Sequence, residues 1–399
     1  MSTLGRNLFI VAAKRTPFGT FGGALRDLTA TDLAVHASKA TLASKNIDPS
    51  IVDSVVFGNV AQTSSDAIYL SRHVALRSDC RVDSQALTVN RLCGSGLQAV
   101  ATAAQEILTG EAEVVLAGGT ESMSQAPFVA RGIRFGVNLG TNPALEDYLW
   151  TALTDNYIKT PMAITAENLA VKYGITREEV DNYALQSQHR WGAAHEAGIF
   201  ADELTPIEYK SKREVKTLDF DEHPRPSTTI EGLKKLKPVF KADGIVTAGG
   251  ASGISDGASA LIVASEEAVK KHGLTPLARI AGWQSVGVDP NIMGIGPCPS
   301  ITRLLARTGV TLDQIGQIEI NEAFAAQVLA CAKELGLDAN RLNINGGAIA
   351  LGHPLGASGA RILGHLAHQL ANGKNSSSYA LGSACIGGGQ GIAVLLERA

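Results

Sequence analysis

The spacing of apolar and polar residues predicts alternating strands and helices in two separate stretches of the chain. In the first stretch it predicts strands at 8–12, 54–57, 86–90 and 112–117 and helices at 31–44 and 97–109. In the second it predicts strands at 278–282, 317–320, 342–345 and 379–382 and helices at 301–308 and 358–371. The two orders match, and Asn90 and Asn345 end corresponding strands before a glycine-rich turn. We therefore expect two related α/β units that pack together.

The pattern changes between about residues 123 and 247, where charged helical sequence such as 177–197 and proline-bearing sequence such as 223–226 replace it. Long insertions in compact domains are more often binding segments or lids than tolerated surface excursions, although the second interpretation stays open. We expect residues 1–122 and 248–273 to form the first unit, 123–247 to be inserted into it, and 274–399 to form the second unit.

Composition and charge exclude several classes of function. The chain has 399 residues, of which 45% are hydrophobic, enough to build substantial cores. Lys and Arg number 35 against 38 Asp and Glu, and the net charge is -3. Because there is no long basic block, nucleic acid is not expected as a partner. Polar residues interrupt every apolar run before the roughly 18 residues of a membrane span, so no span is expected.

The cysteine pattern favours a reducing compartment. The chain contains Cys80, Cys93, Cys298, Cys331 and Cys385, an odd number without close pairing. Residues 9–13 already read as a strand, which leaves little room for a removable transit peptide, and import with an uncleaved N-terminus stays open. No glycine motif of the dinucleotide-binding or P-loop kind is present, which disfavours NAD and P-loop chemistry.

Cys93 lies in a glycine-rich turn between a predicted strand and a predicted helix, in the sequence NRLCGSG at 90–96. A helix N-terminus presents unpaired N–H groups and the positive end of its dipole, which stabilise a thiolate or an attached oxyanion. The flanking glycines leave a ligand free to approach. We therefore interpret Cys93 as a nucleophile rather than as a small buried packing residue, the common role of cysteine.

His353 occupies the equivalent turn of the second unit, in the sequence NGGAIALGHPLGASG at 345–359. Histidine is the side chain that ordinarily titrates near neutral pH, so a histidine beside a thiol can accept its proton. The other histidines lie mostly among charged residues or on predicted helix surfaces, where solvated roles are expected. His353 is therefore the candidate base.

Cys385 follows the strand at 379–382 and precedes three glycines, in the sequence SACIGGGQG at 383–391. If the two units pack with matching faces together, Cys385 meets Cys93 and His353 at one cleft. Such a set would form a thiol acid/base pair rather than a disulfide. A redox pair or a metal site is the competing interpretation. The sequence offers no third and fourth ligand at the usual spacing, so no metal is expected.

Asn321 ends a predicted strand just before a helical stretch, in the sequence IEINEAFA at 318–325. The default role of asparagine at such a place is to cap the helix. The amide could also orient a water or the histidine at an oxyanion site, and the two roles are compatible.

Five motifs together resemble the signatures of the thiolase family: NRLCGSG at 90–96, GGTESMS at 118–124, NEAF at 321–324, GGAIALGHP at 346–354 and CIGGG at 385–389. The resemblance covers nearly the whole chain. It implies the thiolase fold, an α/β fold with two similar βαβαβαββ units packed as a five-layer αβαβα core and an inserted loop domain. SDAIYL at 65–70 and MGIGP at 293–297 resemble the mitochondrial branch of the family that acts in fatty-acid β-oxidation.

The resemblance implies cleavage of 3-ketoacyl-CoA by coenzyme A. His353 would activate Cys93, which attacks the 3-keto carbonyl. Cys385 would protonate the acetyl-CoA enolate and then deprotonate the CoA that releases the acyl group. His353 with a water held by Asn321 resembles one oxyanion site, and the backbone N–H groups of Cys93 and Gly387 resemble the other.

The resemblance also implies ligands, assembly and compartment. The inserted segment resembles a CoA-binding loop domain, with Arg225 and Thr228 as nucleotide contacts and Ser252 as a pantetheine contact. A plain surface charge is the alternative for Arg225. CoA is a co-substrate, and no permanently bound cofactor is implied. The family implies a homotetramer, and its β-oxidation branch implies the mitochondrial matrix, with the cytosol as the alternative.

Other activities compete with thiolytic cleavage. A condensing synthase of the same fold shares the strand, turn and cysteine but lacks a second catalytic cysteine, which Cys385 supplies here. Water could discharge an acyl group from Cys93, so thioester hydrolysis is expected as a side activity. A non-enzymatic acyl-CoA carrier on the same scaffold would be free to lose the reactive residues, and all of them are present.

Overall fold

The computed structural model describes residues 5–374 and 377–399. The first part of the chain forms β1 (Leu8–Arg15), β2 (Gly19–Thr20), α1 (Ala30–Ser44), β3 (Ser54–Gly58), α2 (Leu70–Arg77), β4 (Gln85–Val89), α3 (Ser95–Thr109) and β5 (Val114–Ser122). The middle part forms β6 (Phe128–Val129), β7 (Glu146–Asp147), α4 (Tyr148–Ala152), β8 (Thr154–Asp155), β9 (Thr160–Pro161), α5 (Met162–Tyr173), α6 (Arg177–Glu196), β10 (Ile207–Ser211), β11 (Glu214–Leu218) and α7 (Ile230–Lys234).

The remainder of the chain forms β12 (Ser255–Ser265), α8 (Glu266–His272), β13 (Ala278–Gly287), α9 (Pro297–Thr308), β14 (Ile315–Ile320), α10 (Ala325–Leu335), α11 (Ala348–Leu351), α12 (Leu355–Ala371), β15 (Tyr379–Ile386) and β16 (Gln390–Arg398). Most predicted strands and helices of the two repeated stretches are present, with bounds shifted by a few residues.

One strand order occurs twice within a ten-stranded mixed sheet. Its path is β14-β15-β16-β13-β1-β12-β5-β3-β4, with β2 paired to β12. In the first half, β3 and β5 are parallel, and β5, β12 and β1 follow in antiparallel order. In the second half, β14 and β15 are parallel, and β15, β16 and β13 follow in antiparallel order. The halves meet where β1 pairs with β13, and the predicted repeat is confirmed.

Side chains alternate across each half of the sheet, so each half faces two cores. On β5, Val115 faces a central core that contains α3 and α12, whereas Val114 faces an outer core with α1. On β16, Val394 faces the same central core, whereas Leu395 faces a second outer core with α9 and α10. The layers therefore alternate α, β, α, β, α, as the resemblance implied.

The strand predicted at 342–345 does not form. Only Leu342 makes a bridge, to Ile318. Asn343 has a positive φ of 48°, its Oδ1 accepts from the N–H of Ile320 at 2.9 Å, and its Nδ2 donates to the carbonyl of Ile320 at 2.9 Å. Because the side-chain amide takes both hydrogen bonds that a strand partner would make, the ladder stops there. Asn345, which was expected to end this strand, lies in a turn instead.

The longest helix of the inserted segment begins at a capping box. The hydroxyl of Thr176 accepts from the N–H of Glu179 at 3.2 Å, and the Glu179 carboxylate accepts from the N–H of Thr176 at 2.7 Å. Such a box satisfies two N–H groups that a helix start leaves unpaired. The helix predicted at 177–197 is therefore confirmed as α6, and its buried face, which includes Val180 and Ala184, packs on the outer core of the second half.

A buried ion cluster ties the inserted segment to β1. Arg15, which is 1% exposed, pairs with Glu203 at 2.7 Å and with Asp221 at 2.6 Å. His365 of α12 lies 2.7 Å from Glu203. Burial opposes ionisation of Glu203, but His365 and Arg15 outweigh burial and hold its pKa well below the ordinary value. These contacts anchor Glu203 and Asp221 of the segment to β1 and α12.

Candidate functional site

An apolar cavity of about 350 Å³ lies where the inserted segment covers the turns that follow the strands. Cys93, His353 and Ser252 line it. Much of the rest of its wall is apolar and comes from the inserted segment and the turn after β14, through Leu149, Trp150, Leu153, Met162, Phe240 and Phe324. A small polar set in a largely apolar wall is typical of a ligand site.

The turn that carries Cys93 spans Leu92–Gly94 and leads directly into α3. Its glycines have a different role from the predicted one. A Cβ on Gly94 would come within 2.5 Å of Ile386, and a Cβ on Gly96 would come within 2.3 Å of the backbone of Ala360. These glycines therefore let the turn and α3 pack closely on β15 and α12. Their proximity to core atoms, rather than to the cavity, corrects the expectation that they leave space for a ligand.

Cys93 is a thiol, not a thiolate, at neutral pH. Burial raises its pKa to about 11, although hydrogen bonds from the backbone N–H of Gly387 and from its own N–H oppose that rise. The nearby carboxylate of Glu121 makes a small contribution to the same rise. The start of α3 was expected to stabilise a thiolate at Cys93. The free energy of removing a thiolate from water is larger than the stabilisation by these N–H dipoles, so the thiol form is favoured.

His353 is held as a neutral base. Ser358 donates its hydroxyl hydrogen to the carbonyl of Pro354 at 3.0 Å, so its oxygen accepts from His353 Nδ1 at 2.6 Å. The ring proton therefore lies on Nδ1, and Nε2 keeps a lone pair. Burial, with a smaller contribution from the charge of Arg361, lowers the pKa of His353 to about 4. The imidazole is uncharged at neutral pH and can accept a proton through Nε2.

Asn321 does not cap a helix. The helix that follows it, α10, begins at Ala325 with Phe324 in the capping position, so that prediction is wrong. Asn321 instead places Nδ2 3.3 Å from Nε2 of His353. Its buried Oδ1 has no hydrogen-bond partner in the described part of the chain. A hydrogen bond as long as this one leaves the Nε2 lone pair only weakly engaged.

Cys385 lies at the end of β15 and is fully buried behind the cavity wall. It packs against Met293 and Ala323, which line the cavity. Burial raises the pKa of the Cys385 thiol, and the neighbouring Cys93 raises it further. The structure therefore brings together Cys93, Cys385, His353, Asn321 and Gly387, which the sequence placed in four separate motifs.

Sequence reasoning missed a buried carboxylate beside these turns, Glu322. Its oxygens accept from the Tyr183 hydroxyl at 2.8 Å, the Ser187 hydroxyl at 2.7 Å, the Asn343 amide at 3.0 Å and the Ile349 N–H at 3.1 Å. It thereby joins α6, the turn after β14 and the start of α11. Its place beside Asn321 in the NEAF motif was the available signal.

The residues expected to contact CoA lie in two places. Arg225 is exposed, and its carbonyl accepts from the Thr228 N–H at 3.0 Å and from the Thr228 hydroxyl at 2.7 Å, which closes one turn. Neither residue lines the cavity, whereas Ser252 does. The turn of Arg225 adjoins the turn of Ser252, because the ring of His223 packs against Gly253. A Cβ on Gly253 would lie 2.0 Å from that ring.

Two histidines that were expected to be solvated are buried. His365 lies in the ion cluster with Glu203, and its Nε2 contacts Asn345 at 2.9 Å. His368 contacts the carbonyl of Ala13 at 3.0 Å. Both lie on α12, which is buried along nearly its whole length between the two halves of the sheet. The expectation failed because periodicity does not distinguish a surface helix from a central one.

Within residues 5–374 and 377–399, no helix is long and apolar enough to cross a membrane. No group of three or more His, Cys, Asp or Glu side chains there is arranged to hold a metal ion.

Comparison with known proteins places the chain in a family. Residues 8–267 match the model of the thiolase N-terminal domain, and residues 274–398 match that of the thiolase C-terminal domain. The chain is 59% identical over 392 residues to human mitochondrial 3-ketoacyl-CoA thiolase, covering 98% of each chain. It is 47% identical over 398 residues to acetyl-CoA acetyltransferase of Pseudomonas aeruginosa, covering 98% of this chain and 100% of that one.

Solved structures agree in fold. Human mitochondrial 3-ketoacyl-CoA thiolase in complex with CoA superimposes with a TM-score of 0.97 at 58% identity, covering 100% of this chain and 99% of that one. Acetyl-CoA acetyltransferase of Bacillus anthracis superimposes with a TM-score of 0.95 at 43% identity, covering 99% of each chain. With both family domains matched along the chain, the repeated half-sheets and the two-thiol site have one explanation: the chain belongs to the thiolase family of acyltransferases.

Proposed function

We propose that the protein cleaves 3-ketoacyl-CoA with CoA, giving acetyl-CoA and an acyl-CoA shortened by an acetyl unit, as in fatty-acid β-oxidation. The observation that carries the proposal is the pairing of a neutral thiol, Cys93, with a neutral imidazole, His353, in one apolar cavity that has a second thiol, Cys385, behind its wall. The 59% identity to human mitochondrial 3-ketoacyl-CoA thiolase supports the same substrate class.

In the first half-reaction the proton of the Cys93 thiol passes to Nε2 of His353 as the sulfur bonds to the 3-keto carbon. The bond between the 2- and 3-carbons then breaks, and its electron pair forms the enolate of acetyl-CoA. Cys385 gives its proton to that enolate and becomes a thiolate. The products are acetyl-CoA and an acyl thioester on Cys93.

In the second half-reaction CoA enters and gives its thiol proton to the thiolate of Cys385. The CoA sulfur attacks the acyl carbon, and the Cys93 sulfur leaves and recovers the proton held by His353. Both catalytic thiols and the imidazole return to their starting states. CoA is therefore a co-substrate, and the cycle requires no permanently bound cofactor.

Two groups of donors suit the two oxyanions of this cycle. The backbone N–H groups of Gly387 and Cys93 are hydrogen-bond donors to the Cys93 sulfur. They suit the oxyanion that develops on the substrate carbon to which this sulfur bonds. His353, once protonated, donates from Nε2 to the enolate oxygen. The unpartnered Oδ1 of Asn321 suits a water that supplies the second donor at that site.

The inserted segment, 123–247, is the proposed CoA-binding domain. Its apolar side chains around the cavity suit the pantetheine arm and the acyl chain. Ser252 borders the cavity as a polar contact for pantetheine. The exposed guanidinium of Arg225, with Thr228 in the same turn, suits the nucleotide end of CoA, where a phosphate accepts a bidentate contact. The relative solved with CoA supports a CoA site in this fold.

We also propose a homotetramer in the mitochondrial matrix. Curated relatives from human, cattle and rat carry the description mitochondrial, at 57% to 59% identity. The exposed apolar side chains of the inserted segment support assembly, because large apolar patches on soluble proteins usually mark contact surfaces.

The activity is tested by measuring CoA-dependent loss of 3-ketoacyl-CoA substrates of about four to sixteen carbons. Cys93→Ala and Cys385→Ala are expected to lose cleavage by at least about a thousandfold, since each removes a reacting thiol. Cys80→Ala is the matched control, because Cys80 is a buried cysteine of the outer core around α1. Loss of substrate that does not depend on CoA would replace this proposal with a hydrolase.

A further inference from the structure

Glu121, near the end of β5, is a fully buried carboxylate that the mechanism above does not use. Its Oε1 accepts from Nδ2 of Asn59 at 3.1 Å and from the N–H of Ala61 at 2.9 Å. Its Oε2 accepts from the N–H of Val60 at 3.2 Å and from the N–H of Gly356 at 2.9 Å. All of these groups are donors, so they match an ionised carboxylate and leave no acceptor for a carboxyl hydrogen.

These donors belong to the two segments that enclose the nucleophile. Val60 lies in the turn after β3, and Gly356 lies in the first turn of α12, which follows His353. Val60 and Leu355 pack in one cluster with Cys93. Glu121 therefore fixes the distance between two walls of the catalytic pocket and holds the start of the helix that orients His353.

The charge of Glu121 also acts on the site. Burial, with a smaller contribution from Asp256 of β12, raises its own pKa to about 7, against the N–H groups that lower it. No Lys or Arg is among its hydrogen-bond partners in residues 5–374 and 377–399. The other titratable groups at this site are Cys385 of β15 and His353, whose pKa Arg361 of α12 lowers. An ionised Glu121 raises the pKa of Cys93.

We propose that Glu121 is a positioning residue for acyl transfer: its carboxylate locks the turn after β3 to the start of α12 around Cys93, and its negative charge adds to the burial that disfavours a thiolate there. The proposal rests on the proposed function. A protonated thiol holds the proton that His353 must receive during attack, so the resting site contains no buried ion pair at the nucleophile.

The test is the pH dependence of Cys93 alkylation by iodoacetamide in the whole protein, followed by mass spectrometry of the peptide that contains Cys93. Alkylation requires no thiolysis, so its result is independent of the proposed activity. In Glu121→Gln the midpoint should fall by at least about half a pH unit, which is about threefold more thiolate at a given pH. Loosening of the pocket would hydrate Cys93 and lower the midpoint in Glu121→Asp as well, so a shift seen only in Glu121→Gln reports the charge.

A second variant separates the effect of the negative charge from the effect of the hydrogen bonds that the carboxylate accepts. Glu121→Asp keeps the charge but withdraws it from its donors, so its alkylation midpoint should stay near wild type while kcat falls by at least about tenfold. Asp53→Asn is the matched control, because Asp53 also accepts from backbone N–H groups, those of Glu113 and Val114, at the opposite end of β5 from Glu121. A wild-type midpoint in Glu121→Gln, or a wild-type kcat in Glu121→Asp, overturns the proposal.

Discussion

Cys93 and His353 form a neutral pair, and this has consequences for how the site reacts. Burial raises the pKa of the thiol to about 11 and lowers that of the imidazole to about 4. A thiolate with an imidazolium would place two charges in a largely apolar cavity, which is costly unless further hydrogen bonds compensate. The thiol proton therefore moves during attack on the substrate, not before it. Ser358 makes this possible by fixing the proton of His353 on Nδ1.

The pH profile should reveal the depressed pKa of His353. An imidazole that is already protonated cannot accept the thiol proton, so the rate should fall only as the pH approaches about 4. The profile is measured in Glu121→Gln, which lacks the carboxyl group that titrates near 7. In that variant we expect kcat/KM for thiolysis to change little between about pH 8 and pH 6 and to decline below about pH 5, with circular dichroism at each pH as the control for unfolding. An acid limb centred near 6.5 in that variant, the ordinary value for histidine, would contradict this account.

Asn321 and Asn343 are both buried amides of the second half, but their roles should separate on substitution. Asn321→Ala removes the contact with His353 and the unpartnered Oδ1, so kcat should fall by about 10² to 10³ with little change in the unfolding temperature. Asn343→Ala removes hydrogen bonds to Ile320 and Glu322 and should cost about 1 to 3 kcal/mol of unfolding free energy. Equal losses of kcat and stability in both variants would contradict the distinction.

At the scale of elements, the buried ion cluster determines how firmly the inserted segment is held. Arg15→Met would leave Glu203 and Asp221 buried without their cation, and breaking such a group costs about 3 to 5 kcal/mol. Urea unfolding should detect the loss directly. The control is Arg26→Met, because the pair of Arg26 with Asp27 is 3.8 Å long and solvent-exposed on both sides, and such pairs contribute little. A stability of Arg15→Met near wild type would argue that the cluster is not an anchor.

Elements whose signal is local were predictable from the sequence. The helix at 97–109 has an amphipathic pattern and is flanked by glycine, and it forms as α3 within two residues of the predicted bounds. β12 and β16 were not delimited, because they are buried on both faces and show no alternation. The strand at 342–345 was predicted from its apolar pattern, but Asn343 satisfies the backbone of Ile320 with its own side chain. The replacement of strand hydrogen bonds by those of the Asn343 side chain depends on a tertiary contact, which a local pattern does not reveal.

The same division holds for the candidate site. Cysteine and histidine in glycine-rich turns are unusual enough to be recognised in sequence, so Cys93, His353 and Cys385 could be proposed without coordinates. The role of Gly94 and Gly96 could not be predicted, because the atoms they contact lie on β15 and α12, far along the chain. The directions in which the pKa values of Cys93, His353 and Cys385 shift could not be predicted either, since they depend on burial in the folded protein. Ser358 was missed because a serine in the first turn of a helix is ordinary.

At the scale of the whole molecule, the reactive turns converge because the two halves of the sheet repeat one order around a shared central layer. α3 follows Cys93 and α12 follows His353, and the two helices pack against each other in that layer. Each half supplies one turn at the same edge of the core. The site therefore requires both halves, and the inserted segment closes it with an apolar wall.

The inserted segment also presents an apolar surface that an isolated chain would leave in water. Phe135 and Leu139 are almost fully exposed. If a second copy covers this surface, the double substitution Phe135→Asp with Leu139→Asp should lower the particle mass measured by light scattering, because it places charges in the contact. Val171→Asp, at an exposed position on α5, is the control. An unchanged mass in the double variant would place the assembly surface elsewhere.

The central claim is that Cys93 carries the acyl group between the two half-reactions. The most direct measurement is the mass of the protein after mixing with a 3-ketoacyl-CoA in the absence of free CoA, followed by acid quenching and peptide mapping. The account predicts one acyl adduct, on the peptide that contains Cys93, which disappears when CoA is added and is absent in Cys93→Ala. An adduct on another residue, or substrate cleavage without any adduct, would contradict it.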